Sequence, residues 1–296
     1  MLESHFETGI INNIMKKQKV WFITGASKGF GLEIAKAALK AGDKVAATVR
    51  GNAENLKAIF NNEENALVVT LDVTKEDQVK QGVQDAINKF GRLDVLVNNA
   101  GYGLLGATEE VSDYEVRKQY DTNVFGLLNV TRAVLPHMRS QKSGHIINIS
   151  SLLGYTASVP GFGLYGSTKF AVEGITEGLA LEVKPLGIYV TTAAPGYFRT
   201  KFASTESYQA SEIKLDAYKE TVGHIREFIS QIDGNQPGDP VRLAQAIIKL
   251  AASENPPIHL PLGSDSVAAF RMKTAQAGKE VDEWENISNS TDYPKN

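Results

Sequence analysis

Six short apolar runs alternate with segments of helical spacing, and this alternation restricts the fold more than any other feature of the chain. The runs are VWFITG (20–25), KVAATV (44–49), ALVVTL (66–71), DVLVNN (94–99), HIINIS (145–150) and IYVTTAAPG (188–196). Between them, GLEIAKAALKAG and KEDQVKQGVQDAINKFG place apolar residues three and four apart and end in glycine, the usual helix terminator. Strands that are apolar on both faces and separated by helices build a parallel sheet covered on both sides. The expected fold is therefore doubly wound α/β.

The pattern breaks at 201–236 into a polar, mildly amphipathic stretch bounded by Pro195-Gly196 and Pro237-Gly238. Helix resumes at DPVRLAQAIIKLAAS, with Asp239 at the N-cap and Pro240 in the first turn. A long insertion after a sheet strand lies over the crevice where α/β proteins bind ligands. Residues 201–236 are thus expected to form a helical substrate lid, mobile without ligand. Residues 1–17 are expected to be a loose tail, 18–262 a single domain, and 263–296 a C-terminal helical extension that frays after Gly278.

Composition narrows the function. The net charge is -3 with acidic and basic residues interspersed, so no electrostatic footprint for nucleic acid or an anionic membrane is present. Without cysteine there is no disulfide, thiolate nucleophile or Cys-based metal site. The histidines, His5, His137, His145, His224 and His259, form no HxxxH or HxH pair, and no metal is expected. The opening MLESHFETGIINNIMKKQK carries acidic residues and no continuous apolar run, so it reads as neither signal peptide nor membrane span, and a cytoplasmic location is expected.

Two short stretches carry chemistry. ITGASKGFG follows the first strand and opens the first helix, placing Gly25, Gly29 and Gly31 where a tight turn brings backbone N–H groups close to a pyrophosphate. In YGSTK, Tyr165 and Lys169 stand four apart, about one helical turn, so in a helix the phenol and the ammonium share a face.

Together the motifs resemble the classical short-chain dehydrogenase/reductase family over residues 18–262. They are TGxxxGxG (Thr24 to Gly31), Asp72 in LDV, NNAG (98–101), ISS (149–151) followed by Tyr165 and Lys169, and PGYFRT (195–200). The resemblance implies a Rossmann-type sheet, a nicotinamide cofactor and a catalytic set of Asn123, Ser151, Tyr165 and Lys169. Tyr165 would be the proton donor, its phenolate favoured by the Lys169 charge; Ser151 would bond the substrate oxygen, with Ser150 as the alternative because the spacing to Tyr165 is 14 residues. Asn123 would hold a water for proton relay, and Lys169 would also bond the nicotinamide ribose. Around the cofactor the family pattern implies Gly25, Gly29 and Gly31 at the pyrophosphate, with Ser27, Lys28 and Phe30 of the same loop also binding cofactor, and Asp72 and Val73 at the adenine. Asn99, Ala100 and Gly101 would meet the adenosine ribose, and Pro195, Gly196 and Thr200 the nicotinamide. Asp72 has a second reading, as N-cap of the following helix.

NADPH is expected over NADH. Thr48 stands where NAD-using relatives carry an aspartate, while Arg50 and Lys28 stand where a 2'-phosphate would arrive. The expected reaction is hydride transfer between nicotinamide C4 and a carbonyl or secondary alcohol, on a bulky apolar substrate. The alternatives are a 3-oxoacyl carrier-protein reductase and a non-catalytic NADP-sensing protein. The helices near 113–138 and 165–184 are expected to pair subunits into a homodimer or homotetramer.

Overall fold

The computed structural model describes residues 18–60, 64–200, 208–232 and 234–293; the expected tail 1–17 and the lid residues 201–207 and 233 lie outside the described residues. All six apolar runs form strands: β1 Val20–Ile23, β2 Lys44–Val49, β3 Ala66–Thr70, β4 Val95–Asn98, then, after a short strand β5 Gly103–Leu105, β6 Gly144–Ile149 and β7 Ile188–Pro195. A further short strand, β8 Tyr208–Ala210, pairs with β5, and β9 His259–Leu262 closes the sheet edge. The main sheet has seven parallel strands in the order β3-β2-β1-β4-β6-β7-β9.

Strand side chains alternate between two cores, as a pleated ribbon requires. Trp21, Ile23, Val45 and Val97 face one side, where they meet Ile34 and Ala38 of α1 (Gly29–Lys40), with α2 (Glu54–Phe60) at the edge. Val20, Phe22, Leu96 and Ile146 face the other, against Val79 and Val83 of α3 (Glu76–Phe90). Each strand is apolar on both faces because each face is covered.

The long helix expected from 113 is interrupted. It runs as α4 (Asp113–Tyr120), a π-helical turn (Asp121–Gly126) and α5 (Leu127–Gln141). The second expected long helix, α6 (Gly163–Val183), is continuous. Val130 and Val134 of α5, and Leu179 and Val183 of α6, complete the second core. The lid contributes α7 (His224–Ile232), α8 (Pro240–Ala251) packs beside α1 through Leu243 and Ile247, and α9 (Ser264–Asn289) extends well past the point of expected fraying.

The strand order reverses between β1 and β4, the switch point outside which α/β sheets bind ligands. None of the described helices is long and apolar enough to cross a membrane.

Candidate active site

At the carboxyl end of β1 the glycine loop adopts conformations that side chains disfavour: Gly25 has φ +65 and Gly29 φ +58. Gly31 serves packing instead, since a Cβ there would lie 2.6 Å from both Asn99 Nδ2 and the Gly25 carbonyl oxygen. Lys28 is the extended N-cap of α1 and supplies no side-chain cap. The NNAG turn clamps this loop. The Thr24 hydroxyl accepts from the Asn99 and Ala100 amides at 2.9 and 3.0 Å, and Asn99 Nδ2 donates to the Thr24 and Gly25 carbonyls at 2.9 and 3.0 Å. The Asn99 carboxamide thus shapes the loop.

The loop opens onto a cleft of about 690 Å³. Its walls include Gly25, Ser27, Lys28, Gly29, Phe30, Arg50, Asp72, Val73, Asn99, Ala100, Gly101, Ser151, Tyr165, Lys169, Pro195, Gly196 and Thr200. Of the sequence-predicted residues, Gly31 and Asn123 lie behind the wall. The cleft carries four cations, Lys28, Arg50, Lys118 and Lys169, against one carboxylate, Asp72, among the described residues.

Ser151 lies two residues past the end of β6, capping the short turn Leu152–Gly154, Tyr165 lies in the first turn of α6, and their side chains hydrogen-bond each other. Ser150 Oγ is buried with no partner among the described residues, so the geometry selects Ser151 over Ser150 as the partner of the phenol. Lys169 Nζ donates to the Ile149 carbonyl at 2.8 Å and lies 5.8 Å from the centre of the Tyr165 ring.

The phenol differs from expectation. Burial pushes Tyr165 up to about 12, and the Ser151 hydrogen bond only partly opposes this. Its ring sits in an apolar cluster with Leu153, Phe162, Val222 and Ile229, where a phenolate is poorly solvated. Burial likewise brings Lys169 down to about 8, against the upward pull of Glu173. In this surrounding the phenol is a proton-holding acid.

Asn123 lies in the π turn, buried. Its Oδ1 accepts from the Tyr102 amide at 3.1 Å, and its Nδ2 donates to the Tyr102 carbonyl at 3.0 Å and to Thr168 Oγ1 at 3.1 Å. A Cβ on Gly101 would lie 3.0 Å from Asn123 Oδ1 and 3.8 Å from Lys169 Nζ, so the two approach the same backbone point. The carboxamide is committed to these protein partners. Asp72 is not a helix cap: its Oδ1 accepts from Thr74 N and Oγ1 at 2.9 and 2.8 Å, and the N-cap of α3 is Lys75. Gly196 is required by a neighbour, because a Cβ there would collide with the Asp265 carboxylate, which accepts from the Tyr197 amide at 2.6 Å.

Sequence reasoning missed several participants. Asn98 and Asn148 form a buried side-chain ladder beneath the cleft, Thr131–Asn98–Asn148–Thr176, with bonds of 3.0, 2.9 and 2.8 Å. The far wall of the cleft is apolar and aromatic, with Leu153, Phe162, Tyr197, Tyr208, Ile229 and Ile232. The described lid is anchored. β8 pairs with β5, and buried Glu110 accepts from Leu215 N at 2.9 Å, Ala107 N at 2.8 Å and Arg226 Nη2 at 2.5 Å. Burial raises the Glu110 carboxyl, but these three donors together hold it below the usual carboxylate range.

The family model for short chain dehydrogenases matches residues 19–211. A 3-ketodihydrosphingosine reductase from Bacteroides thetaiotaomicron is 38% identical over 245 residues, which are 83% of this chain and 88% of that protein. The crystal structure of a short-chain dehydrogenase from Streptomyces avermitilis is 41% identical with a TM-score of 0.85, covering 94% of this chain and 100% of that one. The structure of ElxO with NADP bound is 33% identical with a TM-score of 0.71, covering 85% of this chain and 100% of that one. With a matching family model, close relatives and a shared fold, the chain belongs to the short-chain dehydrogenase family of oxidoreductases.

Proposed function

We propose that this oxidoreductase is an NADPH-dependent carbonyl reductase, acting in reverse as an alcohol dehydrogenase, on bulky apolar substrates. The observation that carries the reading is the Ser151–Tyr165 hydrogen bond on the cleft wall, with Lys169 buried one turn behind it.

The residues present fit a phosphorylated dinucleotide. Positive-φ glycines bring the backbone to the mouth of α1, Lys28 and Arg50 flank the end of β2, and Thr48 leaves no carboxylate to repel a 2'-phosphate. ElxO, named with NADP bound, supports the same cofactor. When bound, the nicotinamide supplies or takes up the hydride.

The chain's own residues handle the proton. Tyr165, protonated throughout the neutral range, delivers its phenolic proton to the carbonyl oxygen as charge develops there. Ser151 bonds that oxygen and the phenol, and the Lys169 charge stabilises the phenolate left behind. The apolar far wall receives the rest of the substrate. The relative named as a 3-ketodihydrosphingosine reductase supports a ketone. Exposed Phe125, Phe170 and Leu181 along the π turn and α6 support the pairing of subunits through this face.

The test is NADPH oxidation over aryl ketones, keto esters, long-chain ketones, steroids and a carrier-protein thioester, with Tyr165→Phe as control. Turnover of apolar ketones that vanishes in the variant is the expected result. Preference for the thioester would make the enzyme a carrier-protein reductase, and tight NADPH binding without turnover would make it a sensor.

A further inference from the structure

Glu173 is a buried carboxylate that the chemistry above does not use. It is 6% exposed and lies on α6 one turn beyond Lys169, so the two side chains share a helix face. Its Oε2 accepts from the Thr192 hydroxyl of β7 at 2.8 Å and faces His259 Nδ1 of β9 at 2.9 Å. Its Oε1 has no hydrogen-bond partner among the described residues. The other side of the His259 ring faces Glu177 Oε1 at 3.3 Å, one further turn along α6 towards solvent. The titratable groups around Glu173 are therefore Lys169 and Glu177 on its own helix and His259 on β9; β7 contributes only the neutral Thr192. Those around Lys169 are Tyr165 and Glu173.

A carboxylate without an explanation is expensive at this depth. Thr192 and His259 fix one oxygen, while the charge on the other is not neutralised by a local donor. In the low dielectric of the helix–sheet interface, that charge acts on the nearest buried cation of α6, Lys169.

We infer that Glu173 is a positioning residue for the proton chemistry: held by Thr192 and His259, it keeps Lys169 charged behind Tyr165. The inference rests on the proposed roles of Tyr165 and Lys169. It agrees in direction with the pull of Glu173 on the Lys169 ammonium, opposite to that of burial.

The experiment is NMR titration of Lys169 in the cofactor-free, 13C-lysine-labelled protein, alongside the pH profile of kcat/KM for ketone reduction. In Glu173→Gln the Lys169 titration and the alkaline limb should both move down by about one pH unit, a roughly fivefold activity loss at pH 8 that approaches tenfold above it, with little loss at pH 6. Glu173→Asp should restore part of the shift. Should Glu173→Gln not fold, His259→Gln, which loosens the carboxylate, should move the same limb in the same direction by less. An unmoved Lys169 titration in a folded variant overturns the inference. A moved titration beside full activity of Tyr165→Phe would instead overturn the proposed proton donor and leave the Glu173 effect standing.

Discussion

Lys169 Nζ donates a 2.8 Å hydrogen bond to the carbonyl of Ile149, the last residue of β6, so the helix bearing Tyr165 is tied to the strand end bearing Ser151. The bond needs a compact ammonium on a flexible stem, and a planar guanidinium does not fit the same space. Lys169→Met and Lys169→Arg are both expected to lose roughly 10²–10⁴-fold in kcat/KM. Burial brings Lys169 from 10.5 to about 8, a difference of about 2.5, so the buried charge costs the fold about 3 kcal/mol at neutral pH. Its folded value lies below its unfolded one, so the cost is present below pH 8 and fades as pH rises towards 10. Lys169→Met should therefore melt higher than wild type at pH 7, and the gap should close by pH 10. A melting point below wild type at pH 7 would contradict the desolvation argument.

The two adjacent serines make a sharper test. Ser151 bonds the phenol, whereas Ser150 Oγ is buried and unpartnered among the described residues. Ser151→Ala is expected to reduce kcat by about 10²–10³-fold. Ser150→Ala should stay within a few-fold of wild type, because removing a buried unsatisfied hydroxyl costs little. Tyr165→Phe should retain the fold and cofactor binding and lose about 10³-fold or more in kcat. Steady-state kinetics on the three variants decides, and a reversed order of the serines would reassign the site.

Six of the seven main-sheet strands were legible because each is an apolar run, a pattern that a doubly covered parallel sheet explains. The glycine loop and the Tyr165–Lys169 pair were legible because backbone conformation and helical spacing are local properties. β9 was not, because His259–Leu262 contains Pro261 and lies at the sheet edge, where proline is tolerated and the apolar signal fades. The π turn around Asn123 keeps nearly helical periodicity, so nothing in DTNVFG marks it. The direction of the Tyr165 shift depends on the burial of its ring by Phe162, Val222 and Ile229, which approach it from the loop before α6 and from the lid. Burial of that kind is a tertiary property.

The anchoring of the lid belongs to the same category, since Glu110 and Arg226 stand 116 residues apart. Removing Arg226 leaves the buried Glu110 carboxylate without its cation, held only by the Leu215 and Ala107 amides, so Arg226→Met is expected to cost about 3 kcal/mol. The Glu110 carboxyl sits below its unfolded value, so its contribution to stability is complete above the usual carboxylate range and is lost as pH falls through the folded value. Wild type should therefore destabilise in acid more steeply than Arg226→Met. Amide exchange at 208–232 should accelerate in the variant, with KM rising and kcat falling together, because the lid lines the apolar wall and also packs against the Tyr165 ring through Val222 and Ile229. Exchange in 208–232 equal to wild type would show that the segment is held by β5–β8 pairing alone.

Cofactor choice rests on three positions around the end of β2. Thr48 is buried at the strand end, and Arg50 and Lys28 reach the cleft from the strand side and the loop side. A 2'-phosphate meeting two cations in partly exposed surroundings gains a few kcal/mol from charge-assisted bonds, a preference for NADPH of roughly a hundredfold or more. The ribose hydroxyl of NADH gains no such pairing, and without an aspartate at position 48 it also lacks the bidentate acceptor that favours it. The double variant Lys28→Ala, Arg50→Ala should therefore lose most of its NADPH preference through KM, with kcat nearly unchanged, since neither cation touches the reacting atoms. Thr48→Asp should go further and reverse the preference, because it adds repulsion of the phosphate to attraction of the hydroxyl. The measurement is kcat/KM for both cofactors in all three proteins, repeated at high salt, where the NADPH advantage should shrink as the exposed cations are screened. Equal use of the two cofactors by wild type at low salt would refute the assignment of Lys28 and Arg50 as a phosphate site.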